Sequence, residues 1–272
     1  MAFSVAHPLR SPLLSRRPVR HSWVRRAAWR ASADATPVLY SVPVSNFSAR
    51  CRYIVYDNDL PIKIESPGAQ MKTDEYAKRV HKFGKIPALV WPDGRCGSLW
   101  ESQIITEYLV DKHGLQDKYL PQGSAEKLAR MRLYARVHDL YLTQTQPVLY
   151  RQTATEQERE HGLQQLEQRL DILEEMLAED DTGSLAVERD RITLADICLL
   201  PTLAMYDAIM PVWHGRSVFG KRPRLHALYR EMQQRSPTAV RIVDEVRGAV
   251  RAWEDGGRFE NIGLRRQAPS PA

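Results

Sequence analysis

The chain has 272 residues, 43% of them apolar and 8% aromatic, which is enough to build a packed core in one or two domains. Its net charge of +6 would suggest a polyanionic partner, but seven arginines and a single acid, Asp34, fall within residues 1–34, and beyond that segment the 39 basic and 33 acidic residues fall to 32 of each. A neutral body excludes nucleic acid as the expected partner, and with no unbroken run of about 18 apolar residues no membrane span is expected.

Residues 1–34 are rich in Arg, Ser and Ala, are interrupted by Pro8, Pro12 and Pro18, and lack the apolar run of a secretory signal. This is the composition of an organelle transit peptide, for a chloroplast or alternatively a mitochondrion. A basic tail that carries no address would read the same way. Cys51, Cys96 and Cys198 form neither a CxxC pair nor a zinc pattern, so reduced thiols and no metal are expected.

Residues 36–114 read as a small α/β unit. "PVLYSVPVS" has a strand pattern, and Cys51, Ile54 and Val55 then recur at helical spacing. "LPIKIES" is a second strand and "PGAQMKTDEYAK" a loop. Two apolar runs around Pro92-Asp93-Gly94 predict a hairpin. "ESQIITEYLVDKHG" predicts a helix with Ile104, Ile105, Tyr108 and Leu109 on one face and Gly114 as its cap. The register of the sheet is not legible from periodicity.

Residues 122–254 read as all helix. Leu163, Leu166, Leu170, Leu173 and Leu177 follow a 3,4,3,4 spacing behind a capping box, Thr155-x-x-Glu158. Thr193 and Asp196 form a second box, with Ile192 and Ile197 as its hydrophobic staple. Leu225, Leu228, Tyr229 and Met232 mark a further helix, as do Val243, Val246, Val250 and Trp253. Residues 255–272 are expected to be a tail.

Three segments in order, "LYSVPVSNFSARCRYI", "HKFGKIPALV" and "SLWESQIITEYL", resemble the N-terminal domain of glutathione transferases. "ITLADICLLPTL" and "RPRLHALYREMQQRSP" resemble their C-terminal domain. The resemblance implies a thioredoxin-like α/β domain packed on an all-α domain. It also implies glutathione as co-substrate, an electrophilic small molecule held between the domains, and a homodimer.

Ser45 and Ser48 stand where a cysteine pair would make a redox motif. A free thiol with a pKa of about 8.5 is only a few per cent thiolate near pH 7. A hydroxyl donating to the sulfur and a helix N-terminus beside it both favour the anion. Ser45, ahead of the predicted helix, fits that role. The resemblance places it fifteen residues before Leu60, the apolar residue expected to end the first helix, and puts Arg50 where serine-type members often carry arginine. Ser45 could equally be a simple N-cap, and Ser48 is the alternative thiol partner. Serine forms no mixed disulfide, so thiol–disulfide chemistry is not expected.

The same resemblance makes Ile86-Pro87 a cis peptide that offers the Ile86 backbone to glutathione as an added strand. Ser102, at a helix start, would take the γ-glutamyl carboxylate and Glu101 its ammonium, with Lys85 and Lys72 as partners of the glycine carboxylate. The sequence departs from the family pattern at His81-Lys82, where Asn-Pro is usual, and in a longer hairpin at "DGRCGSLWES". Candidates for the electrophile pocket are Tyr134, His138, Tyr141, Tyr206 and Trp213, although aromatics at helical spacing are more often core. Peroxidase or isomerase activity by the same thiolate, or a non-catalytic binding or adaptor protein, are the alternatives.

Overall fold

The computed structural model describes residues 36–94 and 97–267. The leader and Cys96 lie outside them. A four-stranded sheet in the order β2-β1-β3-β4 occupies the first half. β1 (Val38–Tyr40) leads into helix α1 (Asn46–Asp57), which returns the chain to β2 (Lys63–Glu65) alongside and parallel to β1. β3 (Ala88–Val90) and β4 (Ser98–Trp100) form the predicted hairpin, antiparallel, and β3 pairs with β1 so that Leu39 lies opposite Leu89. That register is set by burial. Leu39 and Leu89 are sealed in the core, and a slip of one residue would turn both to the other face.

The segment expected as a loop folds. Residues Gly68–Lys72 make a 3₁₀ turn and Asp74–Arg79 the short helix α2, capped by the Thr73 hydroxyl, which accepts from the Tyr76 N–H at 3.2 Å. Six residues are too few for a helical period to declare itself, and the cap was the only available signal. α1 likewise stops at Asp57, short of Leu60, whose N–H closes on the Val55 carbonyl at 3.0 Å.

α3 (Ser102–Lys112) follows β4 and ends at Gly114, whose φ of 65° supplies the left-handed residue of the cap. After α4 (Gln116–Tyr119) the chain is helical: α5 (Ala125–Val137), a π-helical turn (His138–Leu142), α6 (Thr143–Thr145), α7 (Glu156–Asp180), α8 (Leu194–His214), α9 (Pro223–Arg235) and α10 (Pro237–Asp255). All five leucines of the α7 stripe are buried. The Thr193–Asp196 box forms, its carboxylate accepting from the Thr193 and Ala186 N–H groups at 2.8 Å each. At the other box Thr155 caps Glu158 as expected, but the Glu158 carboxylate takes the Ala154 N–H instead of that of Thr155.

α8 is more apolar than its broken hydrophobic pattern suggests. An 18-residue window of this 21-residue helix has a mean hydropathy of 1.3, long and apolar enough to cross a membrane, but 78% of that window is buried inside the fold. It is the central core helix, and a single hydrophobic cluster runs from Leu39, Ile54 and Leu89 in the sheet half to Leu200, Leu203 and Val246 in the helical half. That shared core fixes α1, and with it the residues at its N-terminus, against both halves.

Candidate functional site

Two chain reversals build a cleft at one edge of the sheet half. Gly84, at φ 61°, turns the chain out of α2, and its N–H closes on the His81 carbonyl at 2.8 Å. The buried Tyr76 donates its O–H to the Lys85 carbonyl at 2.9 Å, fixing the approach to Ile86-Pro87, whose peptide bond is cis as expected. The Ile86 N–H and C=O take no part in backbone pairing among the described residues. Across the cleft, β4 meets α3 at Glu101, a non-glycine residue at φ 70°, ψ 110°.

The cavity between them measures about 120 Å³ and is lined by Phe47, His81, Lys85, Ile86, Pro87, Glu101 and Ser102. Five of the expected site residues therefore line one cavity. Ser102 is 4% exposed and begins α3. Glu101 is exposed and forms no salt bridge among the described residues. An unpaired carboxylate beside a free helix N-terminus offers one end to a cation and the other to an anion.

Phe47 and His81 were not expected as lining residues. His81 is one of the departures from the usual family pattern, and that departure was the signal. Its ring is buried against Trp100, with centroids 5.2 Å apart, and its Nδ1 accepts from the Phe83 N–H at 3.2 Å. The proton of the neutral ring is therefore on Nε2. Burial holds its pKa below the ordinary value and Lys85 adds to this, against the opposing pull of Glu101.

Ser45 does not line the cavity but caps α1 beside it. Its Oγ accepts from the Ser48 N–H at 3.1 Å, which leaves its own O–H proton free to donate. The cap and the thiol-donor roles are thus compatible. The helix N-terminus supplies less than the sequence suggests. Asn46 Oδ1 takes the Phe47 N–H at 3.0 Å, leaving the Asn46 N–H as the first-turn amide without a partner among the described residues. Ser48 is fully buried with an unpaired hydroxyl, out of reach of a ligand. Cys51 is also sealed, and burial pushes its thiol up to about 12, so it is inert.

Lys85 lines the cleft, whereas Lys72 ends the 3₁₀ turn in solvent and does not. Among the aromatic candidates, Tyr134, His138, Tyr206 and Trp213 are core residues, and Tyr141, 53% exposed on the π-helical turn, is the one open to solvent.

Behind the cleft lies a buried polar cluster. Arg50 stacks over the Phe47 ring at 5.3 Å and pairs with Asp139 at 2.5 Å. Burial disfavours the Asp139 charge, but the hydrogen bond from His138 and the Arg50 cation outweigh it and hold the carboxyl at about 2. Burial lowers His138 to about 4. His138, Asp139 and Cys198 place donor atoms within 4.8 Å of one another, a spacing a metal ion could use. The Arg50 guanidinium already fills the space, 3.0 Å from His138 Nδ1, and would repel such an ion.

Sequence signatures described as "Glutathione S-transferase, N-terminal domain" and "Glutathione S-transferase, C-terminal domain" match residues 39–118 and 142–241. The chain belongs to the glutathione S-transferase family. Its fold is similar to that of a diazinon-metabolizing glutathione S-transferase of the silkworm Bombyx mori, at 20% identity and a TM-score of 0.67 over 79% of this chain and 99% of that one. It is similar also to human glutathione-S-transferase T1-1, at 21% identity and a TM-score of 0.65 over 77% and 88% of the two chains. A third is a glutathione S-transferase-I bound with lactoylglutathione, at 22% identity and 0.61 over 78% and 100%. No curated protein matches the sequence. Within this family the thioredoxin-like half and the helical half correspond to the sheet and helix portions described above.

Proposed function

We propose that this protein is a glutathione transferase in which Ser45 stabilises the glutathione thiolate for attack on a small electrophile. The observation that carries the reading is the convergence of Lys85, Ile86, Pro87, Glu101 and Ser102 on one cleft next to the capping serine of α1. The small cavity suits the γ-glutamyl end: its ammonium at Glu101, its carboxylate at Ser102 and the start of α3. The cysteinyl backbone then lies along Ile86 and its sulfur reaches the Ser45 O–H. Each unit by which the thiol pKa falls requires about 1.4 kcal/mol of preference for the anion, within what one charge-assisted hydrogen bond and a helix terminus provide. Lys85 serves the glycine carboxylate, and Lys72 is the outer candidate for the same role.

The electrophile lies on the Phe47 side of the cleft, and Tyr141 is the one aromatic candidate open to solvent. The same thiolate could also reduce peroxides or add reversibly in an isomerisation. Phe83, Ile104 and Leu133, at 69%, 48% and 42% exposure, are apolar side chains that a second copy of the chain would cover in a homodimer. The leader composition supports a chloroplast address, with the mitochondrion as the alternative.

The test is retention of the full chain on immobilised glutathione, release by free glutathione, and conjugation of chlorodinitrobenzene by wild type and Ser45→Ala. Retention with a loss of conjugation of 10-fold or more in Ser45→Ala is the expected outcome. Absence of retention would assign the fold to a binding or adaptor role. Unchanged conjugation in Ser45→Ala would remove Ser45 from the chemistry.

A further inference from the structure

The polar cluster under the cleft is continuous from the helical half to the first turn of α1. Asn46 donates from Nδ2 to Gln146 Oε1 and to Thr202 Oγ1, both at 2.7 Å, while its Oδ1 holds the Phe47 N–H. Thr202 Oγ1 lies 2.6 Å from His138 Nε2, and His138 Nδ1 lies 2.8 Å from Asp139 Oδ1, the carboxylate paired with Arg50.

Thr202 Oγ1 accepts from Asn46 Nδ2 and shares a proton with His138 Nε2, while His138 Nδ1 faces both Asp139 Oδ1 at 2.8 Å and Arg50 Nη2 at 3.0 Å. The connectivity is that of a Thr-His-Asp hydrolytic triad. Thr202 and His138 are both completely buried and neither lines the cleft, so no substrate reaches the hydroxyl. Phe47, which does line the cleft, is held from two sides, by the Arg50 guanidinium on its face and by the His138 ring edge-on at 5.8 Å.

We propose that Asn46, Thr202, His138, Asp139 and Arg50 form a positioning device that fixes the first turn of α1 and the Phe47 ring from the helical half of the protein. These are positioning residues, since none except through Asn46 and Phe47 reaches the cleft. The inference rests on the transferase reading for its catalytic consequence, but its structural content does not depend on glutathione. Each group in this chain is buried and hydrogen-bonded to the next, so removing the Thr202 hydroxyl takes an acceptor from Asn46 Nδ2 and loosens the turn that presents Ser45.

The test substitutes Thr202 and leaves the ion pair intact, because breaking a buried ion pair would put folding itself at risk. Thr202→Val keeps the volume and removes the hydroxyl, and Thr202→Ser keeps the hydroxyl. In the absence of ligand, amide hydrogen exchange at Phe47, Ser48 and Ala49 is expected to accelerate about 10-fold in Thr202→Val and return to the wild-type rate in Thr202→Ser. With glutathione and chlorodinitrobenzene, kcat falls about 10-fold with little change in KM for glutathione, and the pH midpoint of kcat/KM moves up. Equal exchange in all three proteins overturns the proposal, as does a loss in Thr202→Val that Thr202→Ser does not restore. If exchange responds while wild type neither binds nor turns over glutathione, the transferase reading fails and the positioning role stands.

Discussion

Glu101 and Ser102 divide one corner of backbone between them: Glu101 takes φ 70° so that Ser102 can start α3 facing the same cleft. A non-glycine residue in such a conformation carries a cost of about 1–3 kcal/mol, and glycine would relieve it. Glu101→Gly is therefore expected to unfold at the same temperature as wild type or a few degrees higher, yet to lose retention on glutathione. Glu101→Ala keeps the strain and loses the ligand, so its melting temperature should not rise. Retention of glutathione by either variant would show that the ammonium is held elsewhere.

At Ser45 the observed cap and the proposed thiol donation are separable duties of one side chain. Ser45→Ala loses the cap, worth about 1 kcal/mol, and the thiol donor as well. Ser45→Asp keeps an N-cap acceptor, but its carboxylate repels a thiolate, so stability should recover while the bound thiol titrates higher than in wild type. Ser45→Thr keeps both duties. Ultraviolet titration of bound glutathione thiolate distinguishes the four proteins. Ser48→Ala, by contrast, removes a buried hydroxyl without a partner and should be neutral or stabilising by up to about 1 kcal/mol, with conjugation unchanged.

The strong periods were legible in advance: the leucine stripe of α7, the Thr193–Asp196 cap and the hairpin around Asp93 each follow from spacing that only one element satisfies. The site was legible only through the family resemblance, because the residues proposed to hold glutathione, such as Glu101 and Lys85, are ordinary surface residues in isolation. Three features were not readable. α2 is too short to show a period. The Phe47 wall depends on Arg50 and His138, which are 88 residues apart. The occupied amides of the α1 terminus depend on Asn46 turning back on Phe47, a choice made by Gln146 and Thr202 in the other half.

Two helix-interior glycines should respond to alanine in opposite directions. At Gly248 in α10 a new Cβ meets nothing nearer than the tip of Arg251 at 3.8 Å, so Gly248→Ala should gain up to about 1 kcal/mol of helix propensity. At Gly162 in α7 the Cβ would stand 2.8 Å from Val148 Cγ2, and valine is stiff at χ1 and cannot swing aside freely. Gly162→Ala should lose about 1–2 kcal/mol by overpacking, despite the same propensity gain. Adding Val148→Ala should recover part of that loss, and chemical denaturation of the three proteins measures it. A stabilised Gly162→Ala would mean that the α7 surface yields more easily than its packing implies.

Acid should destabilise the fold well before its carboxylates titrate. Burial lowers His138 to about 4, and burial lowers His214 to about 4 despite the hydrogen bond to the Leu149 carbonyl. The ordinary histidine value is about 6.5, so between roughly pH 6.5 and 4 the unfolded chain binds protons at these rings that the folded chain refuses. The unfolded state then holds more protons, and stability rises with pH across that window and falls as pH drops through it. For the fully buried His138 the loss is at most roughly 3 kcal/mol by pH 4, and His214, partly open to solvent, contributes less. Asp139, held at about 2, adds a further loss only below about pH 4, as its carboxylate protonates. Replacing the exposed-side ring, His214→Gln, keeps a donor for Leu149 and removes one titrating group. Urea unfolding from pH 7 to 4.5 should therefore show a shallower pH slope in His214→Gln than in wild type. Identical slopes would mean that His214 protonates within the fold.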